Sequence, residues 1–159
     1  MKLYYSAFVA CTLTAASVYI YAAQQDSTSF NVSITIKEMC NVTTGNGTDL
    51  DFGTVSRASN PNMKSTHLAV TCTQGTPYNI ALQSQRKMTS TEVNNVSIPY
   101  NLYQDANRTT LWGAEAQNAY RNIGTGRTQT LPVWGTINHS DTDVPAGVYS
   151  DKVTAVITY

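Results

Sequence analysis

Asp151-Lys-Val-Thr-Ala-Val-Ile-Thr-Tyr159, the last nine residues of the chain, place Val153, Ala155, Ile157 and Tyr159 on one face of an extended segment. That alternation is the period-2 pattern of a half-buried strand, and the chain stops within it. Near the other end, Phe30-Asn-Val-Ser-Ile-Thr-Ile36 sets Phe30, Val32, Ile34 and Ile36 on one face and Asn31, Ser33 and Thr35 on the other. A strand signal at each end leads to the expectation of a fold completed between molecules.

Between these ends, short strand signals recur with turn residues between them. His67-Leu-Ala-Val-Thr-Cys72 precedes Gln74-Gly-Thr-Pro77, and Tyr78-Asn-Ile-Ala-Leu82 follows, which reads as a hairpin or a close strand pair. Ile98 to Tyr103, Thr110 to Trp112 and Thr128 to Ile137 are further candidates, with Pro132 implying an edge position or a bulge. Gly124-Thr-Gly126 reads as a flexible hairpin tip, because no GK[ST] follows to make it a phosphate loop. No long stretch keeps a 3.6-residue period. The expected class is all-β, a sandwich or barrel.

Charged residues make up 13% of the 159-residue chain and the formal net charge is zero. Binders of nucleic acid or anionic membranes rely on a basic excess, so that balance argues against both. Met1-Lys2 followed by an uncharged, largely apolar run to Ile20, with small residues at Ala22-Ala23, reads as a signal peptide over residues 1–22, cleaved at about 22/23. An uncleaved membrane anchor is the alternative. Export leaves Cys40 and Cys72 as the pair in the mature chain, in a compartment where disulfides persist. Closing that loop contributes about 3 to 4 kcal/mol in the chain-entropy account.

The residues offer little for catalysis. Asp49 with Asp51, and Asp141 with Asp143, are paired carboxylates that could hold a cation or share acid and base roles, but neither pair has a third converging ligand in view. His67 and His139 are far apart, with no GxSxG elbow and no activated cysteine to join them. The expectation is a protein that is not an enzyme, with no cofactor and no metal.

Leu50-Asp-Phe-Gly53, Leu68 to Cys72 with Gly75-Thr-Pro-Tyr78, Tyr100 to Asp105 leading to Leu111-Trp-Gly113, and Val144-Pro-Ala-Gly-Val-Tyr-Ser-Asp151 with Val153 to Tyr159 occur in that order along the mature chain. Together they resemble the spore coat protein U (SCPU) domain family, which includes subunits of the archaic, Csu-type chaperone–usher pili of Gram-negative bacteria. The resemblance implies an incomplete immunoglobulin-like β-sandwich that lacks its last strand and is completed by donor-strand exchange. It implies an N-terminal extension over residues 23–37 carrying the donor strand, ahead of a pilin domain over 38–159. Phe30, Val32, Ile34 and Ile36 match the donor strand, and Val153, Ala155, Ile157 and Tyr159 the edge strand of the acceptor groove. The implied partners are a periplasmic chaperone, an outer-membrane usher and neighbouring subunits joined head to tail. The implied location is a surface fimbrium that supports adhesion and biofilm formation.

The logic of strand exchange holds on physical grounds as well. An edge strand with an apolar face is an aggregation hazard, so it must be covered by a partner. Strand addition supplies main-chain hydrogen bonds for affinity and alternate side chains for register. Because donor and groove are different surfaces, the repeat grows as an open filament. Phe30 to Ile36 could instead be the first strand of the molecule's own sheet. A single-domain adhesin binding carbohydrate or abiotic surfaces through exposed Trp112, Trp134 and Tyr120 is the functional alternative, although aromatics of a sandwich are more often core.

Overall fold

The computed structural model describes residues 22–45 and 49–159; the expected signal peptide, apart from Ala22, lies outside the described residues. The chain divides into two units, Met1–Thr35 and Ile36–Tyr159. All strands of the described residues fall in the second: β1 (Cys40–Thr44), β2 (Lys64–Cys72), β3 (Pro77–Gln83), β4 (Lys87–Thr89), β5 (Ser97–Pro99), β6 (Asn101–Tyr103), β7 (Tyr120–Ile123), β8 (Thr128–Thr136) and β9 (Thr154–Thr158). Two short 3-10 turns, Ala116–Asn118 and His139–Thr142, sit in the connections.

Every pairing is antiparallel. A four-stranded sheet runs in the order β1-β2-β8-β6, a three-stranded sheet in the order β7-β3-β9, and β4 pairs with β5. Among the described residues the sheets are open, with no closed barrel. Alternation along β2 and β8 buries Leu68, Val70, Leu131 and Val133, while alternation along β3 buries Tyr78, Ile80 and Leu82. These side chains interlock in one apolar cluster with Trp112, Tyr100 and Leu102, which makes the two larger sheets a sandwich. The all-β reading of the sequence is therefore the architecture found.

The hairpin readings were too local. β2 and β3 lie in different sheets, and the turn at 73–76, closed by the Thr76 amide donating to Thr73 O, carries the chain across the core. β7 and β8 are likewise in different sheets, so Gly124-Thr-Gly126 is a crossing rather than a hairpin tip. It is pinned: the Gly75 amide donates to Gly124 O, the Gly124 amide to Thr76 O, both at 2.8 Å, and the Gly126 amide to Cys72 O at 3.1 Å. A Cβ at Gly124 would run into Thr73 O, which is backbone and cannot yield. Strand patterns report which residues face inward, and two inward patterns in succession fit a hairpin and a sheet crossing equally well.

Pro132 sits in β8 opposite His67 of β2, in the part of β8 that β6 does not reach, since β6 pairs only with Trp134 to Thr136. The missing amide is tolerated because one side of β8 is an edge there. Between β1 and β2, the Leu50-Asp-Phe-Gly53 motif packs Leu50 and Phe52 against the core. Both reach the open space over Gly135, where a Cβ would meet Leu50 Cδ2 at 2.7 Å and Phe52 Cζ at 3.1 Å. The turn after Phe52 is held by the Gly53 amide donating to Asp51 Oδ1 at 2.8 Å, with Gly53 at a φ of 75°.

Candidate strand-acceptor seam

β9 is the end strand of its sheet and β1 the end strand of the other. β9 pairs with β3 alone, and β1 with β2 alone, so each presents one row of unpaired main-chain groups among the described residues. The two strands approach each other across the sandwich. No main-chain pairing joins β1 to β9 among the described residues, so the seam between them is an unpaired margin of the sandwich.

Its walls follow from register. Ala155 stands opposite Leu82 and Ile157 opposite Ile80, so both point inward. Ile80 is fully buried, yet Ala155 and Ile157 stay half-exposed. On the other wall Val42 stands opposite the fully buried Val70, and Val42 too is only half-buried. These inward-facing apolar side chains pack against the core and keep partial contact with solvent on both margins. Of the four residues expected along the acceptor edge, Ala155 and Ile157 lie within β9 and face inward. Val153 precedes the strand and Tyr159 follows it, with 38% and 56% exposure. The second wall, Cys40 and Val42, was missed by sequence reasoning; the alternation of Val42 between Asn41 and Thr43 just after Cys40 was the available signal.

Cys40 and Cys72 form a disulfide and are direct register partners between β1 and β2. The Met39 carbonyl accepts from the Thr73 amide at 2.9 Å, and the Met39 amide donates to Thr73 Oγ1 at 3.1 Å. The first strand is thus fastened at its start both covalently and by hydrogen bonds. In the N-terminal unit, residues 22–35 carry no strand or helix, and Ile36 to Met39 carry none either. Phe30, Val32, Ile34 and Ile36 are 83%, 87%, 85% and 83% exposed. Regular strand structure requires a hydrogen-bonded neighbour, and this segment pairs with no strand among the described residues.

The other candidates resolve into structural roles. Trp112 is 1% exposed, donates its indole N–H to Ile80 O at 2.8 Å and packs against the ring of Tyr120 at 5.3 Å. It is a core residue, so the aromatic platform weighed from the sequence loses its central member. Trp134 stands beside Tyr103 on the outer face of the four-stranded sheet. Asp51 caps its own turn, Asp143 pairs with Arg57 at the surface at 2.6 Å, and Asp141 accepts from Asn138.

One polar group in the core margin has no catalytic pattern around it but a defined geometry. Tyr100 is buried, and its hydroxyl donates to Asp151 Oδ2 at 2.7 Å and contacts Ser84 Oγ at 3.1 Å. The Arg86 guanidinium lies 5.9 Å over the Tyr100 ring and donates to Leu82 O at 3.0 Å and Trp112 O at 2.6 Å. Burial raises the Tyr100 hydroxyl above its ordinary pKa and lowers that of Arg86.

Comparison with known proteins agrees with the fold. The sequence profile of the Spore Coat Protein U domain matches residues 26–156, a span that starts ahead of Phe30 and ends inside β9. Protein U of Myxococcus xanthus is 27% identical over 177 aligned positions, covering 95% of this chain and 96% of that protein. Among solved structures, the fold is similar to a chain in the complex of a chaperone with a tip adhesion subunit, a pre-assembly complex (CsuC-CsuE) from the archaic chaperone-usher Csu pili of Acinetobacter baumannii. The TM-score is 0.57 at 22% identity, over 79% of this chain and 40% of that one, and at this identity the likeness is one of fold.

Proposed function

We propose that this chain, which belongs to the Spore Coat Protein U domain family, is a structural subunit of an archaic chaperone–usher pilus, polymerised by donor-strand complementation. The observation that carries the reading is the seam between β1 and β9, with half-exposed inward side chains on both margins, in a chain that also holds an exposed alternating segment at 30–36. Phe30, Val32, Ile34 and Ile36 of one subunit enter the seam of the next and cover Ala155, Ile157 and Val42. Seven residues of strand span about 23 Å. Four newly buried apolar side chains contribute roughly 6 to 12 kcal/mol before ordering costs, at about 1.5 to 3 kcal/mol each.

A periplasmic chaperone occupies the seam first, since an uncovered apolar edge would aggregate. The outer-membrane usher is the site of exchange for the next subunit's donor strand. The product is a head-to-tail fimbrium on the surface of a Gram-negative bacterium, serving adhesion and biofilm formation. The reading is supported by the family match and by the fold shared with a subunit crystallised in a chaperone pre-assembly complex.

The test compares the exported chain with a version lacking residues 23–36 by size-exclusion chromatography and electron microscopy, each with and without a synthetic peptide of Phe30 to Ile36. Rods that vanish on truncation, and a truncated domain stabilised by the peptide, are the expected result. A full-length chain that stays monomeric, with a truncated one indifferent to the peptide, would overturn it.

A further inference from the structure

β9 has a weakness that its own sequence does not repair. It is five residues long, paired on one side, and its centre is Ala155-Val156-Ile157, apolar at three consecutive positions. A one-residue slip exchanges the two faces of a strand. In most half-buried strands that slip exposes apolar groups and buries polar ones. Here it would turn Val156 inward together with Thr154 or Thr158 in place of Ala155 and Ile157, so one apolar side chain stays inside and the hydrophobic pattern penalises the slip less than in a strictly alternating strand.

We propose that the hydrogen bond from Tyr100 to Asp151, braced by Arg86, sets the register of β9, and that Tyr100 is a positioning residue for the acceptor edge. The contacts close a circuit through the strand β9 rests on. Leu82 of β3 is the register partner of Ala155. The Leu82 carbonyl is held by Arg86 Nη2, whose guanidinium lies over the Tyr100 ring. Ser84 Oγ accepts from the Arg86 amide, which leaves its hydroxyl hydrogen for the Tyr100 oxygen, and Tyr100 in turn donates to Asp151. Asp151 precedes β9, and the neighbouring Ser150 exchanges two main-chain hydrogen bonds with Thr89, at 2.9 and 3.0 Å. The lead into β9 is therefore anchored to Thr89 and to the buried Tyr100 before the strand meets β3, and chain length then fixes which of Ala155, Val156 and Ile157 face inward. The inference rests on the pilus reading only for what the register serves, namely matching an incoming strand.

Hydrogen exchange by mass spectrometry on the full exported chain tests it. Tyr100→Phe keeps the ring and removes the hydroxyl; about tenfold faster exchange over Thr154–Thr158, with Lys64–Cys72 unchanged, is expected for one lost charge-assisted bond. Asp151→Ala, at an exposed position, should match it, Asp151→Asn should restore most protection, and the double variant Tyr100→Phe with Asp151→Ala should be no worse than either alone. Unchanged exchange in β9, or acceleration shared equally by β2, would overturn the proposal, the second result making Tyr100 a general packing residue. The dissociation rate of the Phe30–Ile36 peptide, expected to rise about tenfold in Tyr100→Phe, separates the two readings: protection lost from β9 with no peptide binding to the wild-type chain would leave the clasp standing and remove the pilus assignment.

Discussion

Replacing Ile34 with aspartate should abolish assembly while sparing the fold. Ile34 is 85% exposed in the single chain, so the change costs the free subunit little. In the proposed joined state it would face an apolar wall that includes Val42, Ala155 and Ile157. The lost transfer of the aliphatic side chain is about 1.5 to 3 kcal/mol, and an unpaired polar group against that wall costs about 2 kcal/mol or more. A total near 4 kcal/mol weakens the contact about a thousandfold, at 1.4 kcal/mol per factor of ten. The assay is filament yield by negative-stain microscopy of the exported protein, with peptides of the two sequences titrated onto the truncated domain. Ser33→Asp adds the same charge at the opposite parity, where the side chain points away from the acceptor core, and should assemble nearly as wild type. Filaments at normal abundance from Ile34→Asp, or equal loss from Ser33→Asp, would refute the reasoning, and a failure of Ile34→Asp to fold would place that residue in its own subunit's core.

Reducing the Cys40–Cys72 bond, or changing both residues to serine, should lower stability by about 3 to 4 kcal/mol, read as a shift in the denaturant midpoint. Trp112→Phe should cost about 2 to 4 kcal/mol, because it removes the buried indole bond to the Ile80 carbonyl and leaves space beside Tyr120; calorimetry measures it. Gly135→Ala should cost about 1 to 3 kcal/mol by pressing a methyl group against Leu50 and Phe52, and a melting temperature equal to wild type would contradict the packing described. The Asp105 carboxylate accepts from the amides of Thr109 and Thr110, which hold its pKa below the ordinary value. A depressed folded pKa supplies stability that is present above the unfolded value and lost as pH falls through the folded one. Side-chain carbon titration by NMR should therefore show a midpoint under the usual carboxylate range, with the 105–110 turn loosening only in acid.

The class of the fold and the inward residues of its strands were legible from residue order alone, because side-chain period is a local property: Leu68 and Val70, Tyr78 and Ile80, Ala155 and Ile157 alternate in sequence as they do in the sandwich. The cysteine pairing was legible because Cys40 and Cys72 are the two cysteines that follow the expected signal peptide. Partnership was not legible, since a period of two says that a strand is half-buried and nothing about which sheet it joins. Only the folded chain carries β2 and β3 to opposite sheets, sets β1 and β9 at the unpaired ends of their sheets, and sinks Trp112 beneath Ile80. The register of β9 belongs to that second group, because three apolar residues in a row leave the choice to contacts made by Asp151 and Tyr100, 51 positions apart in the chain.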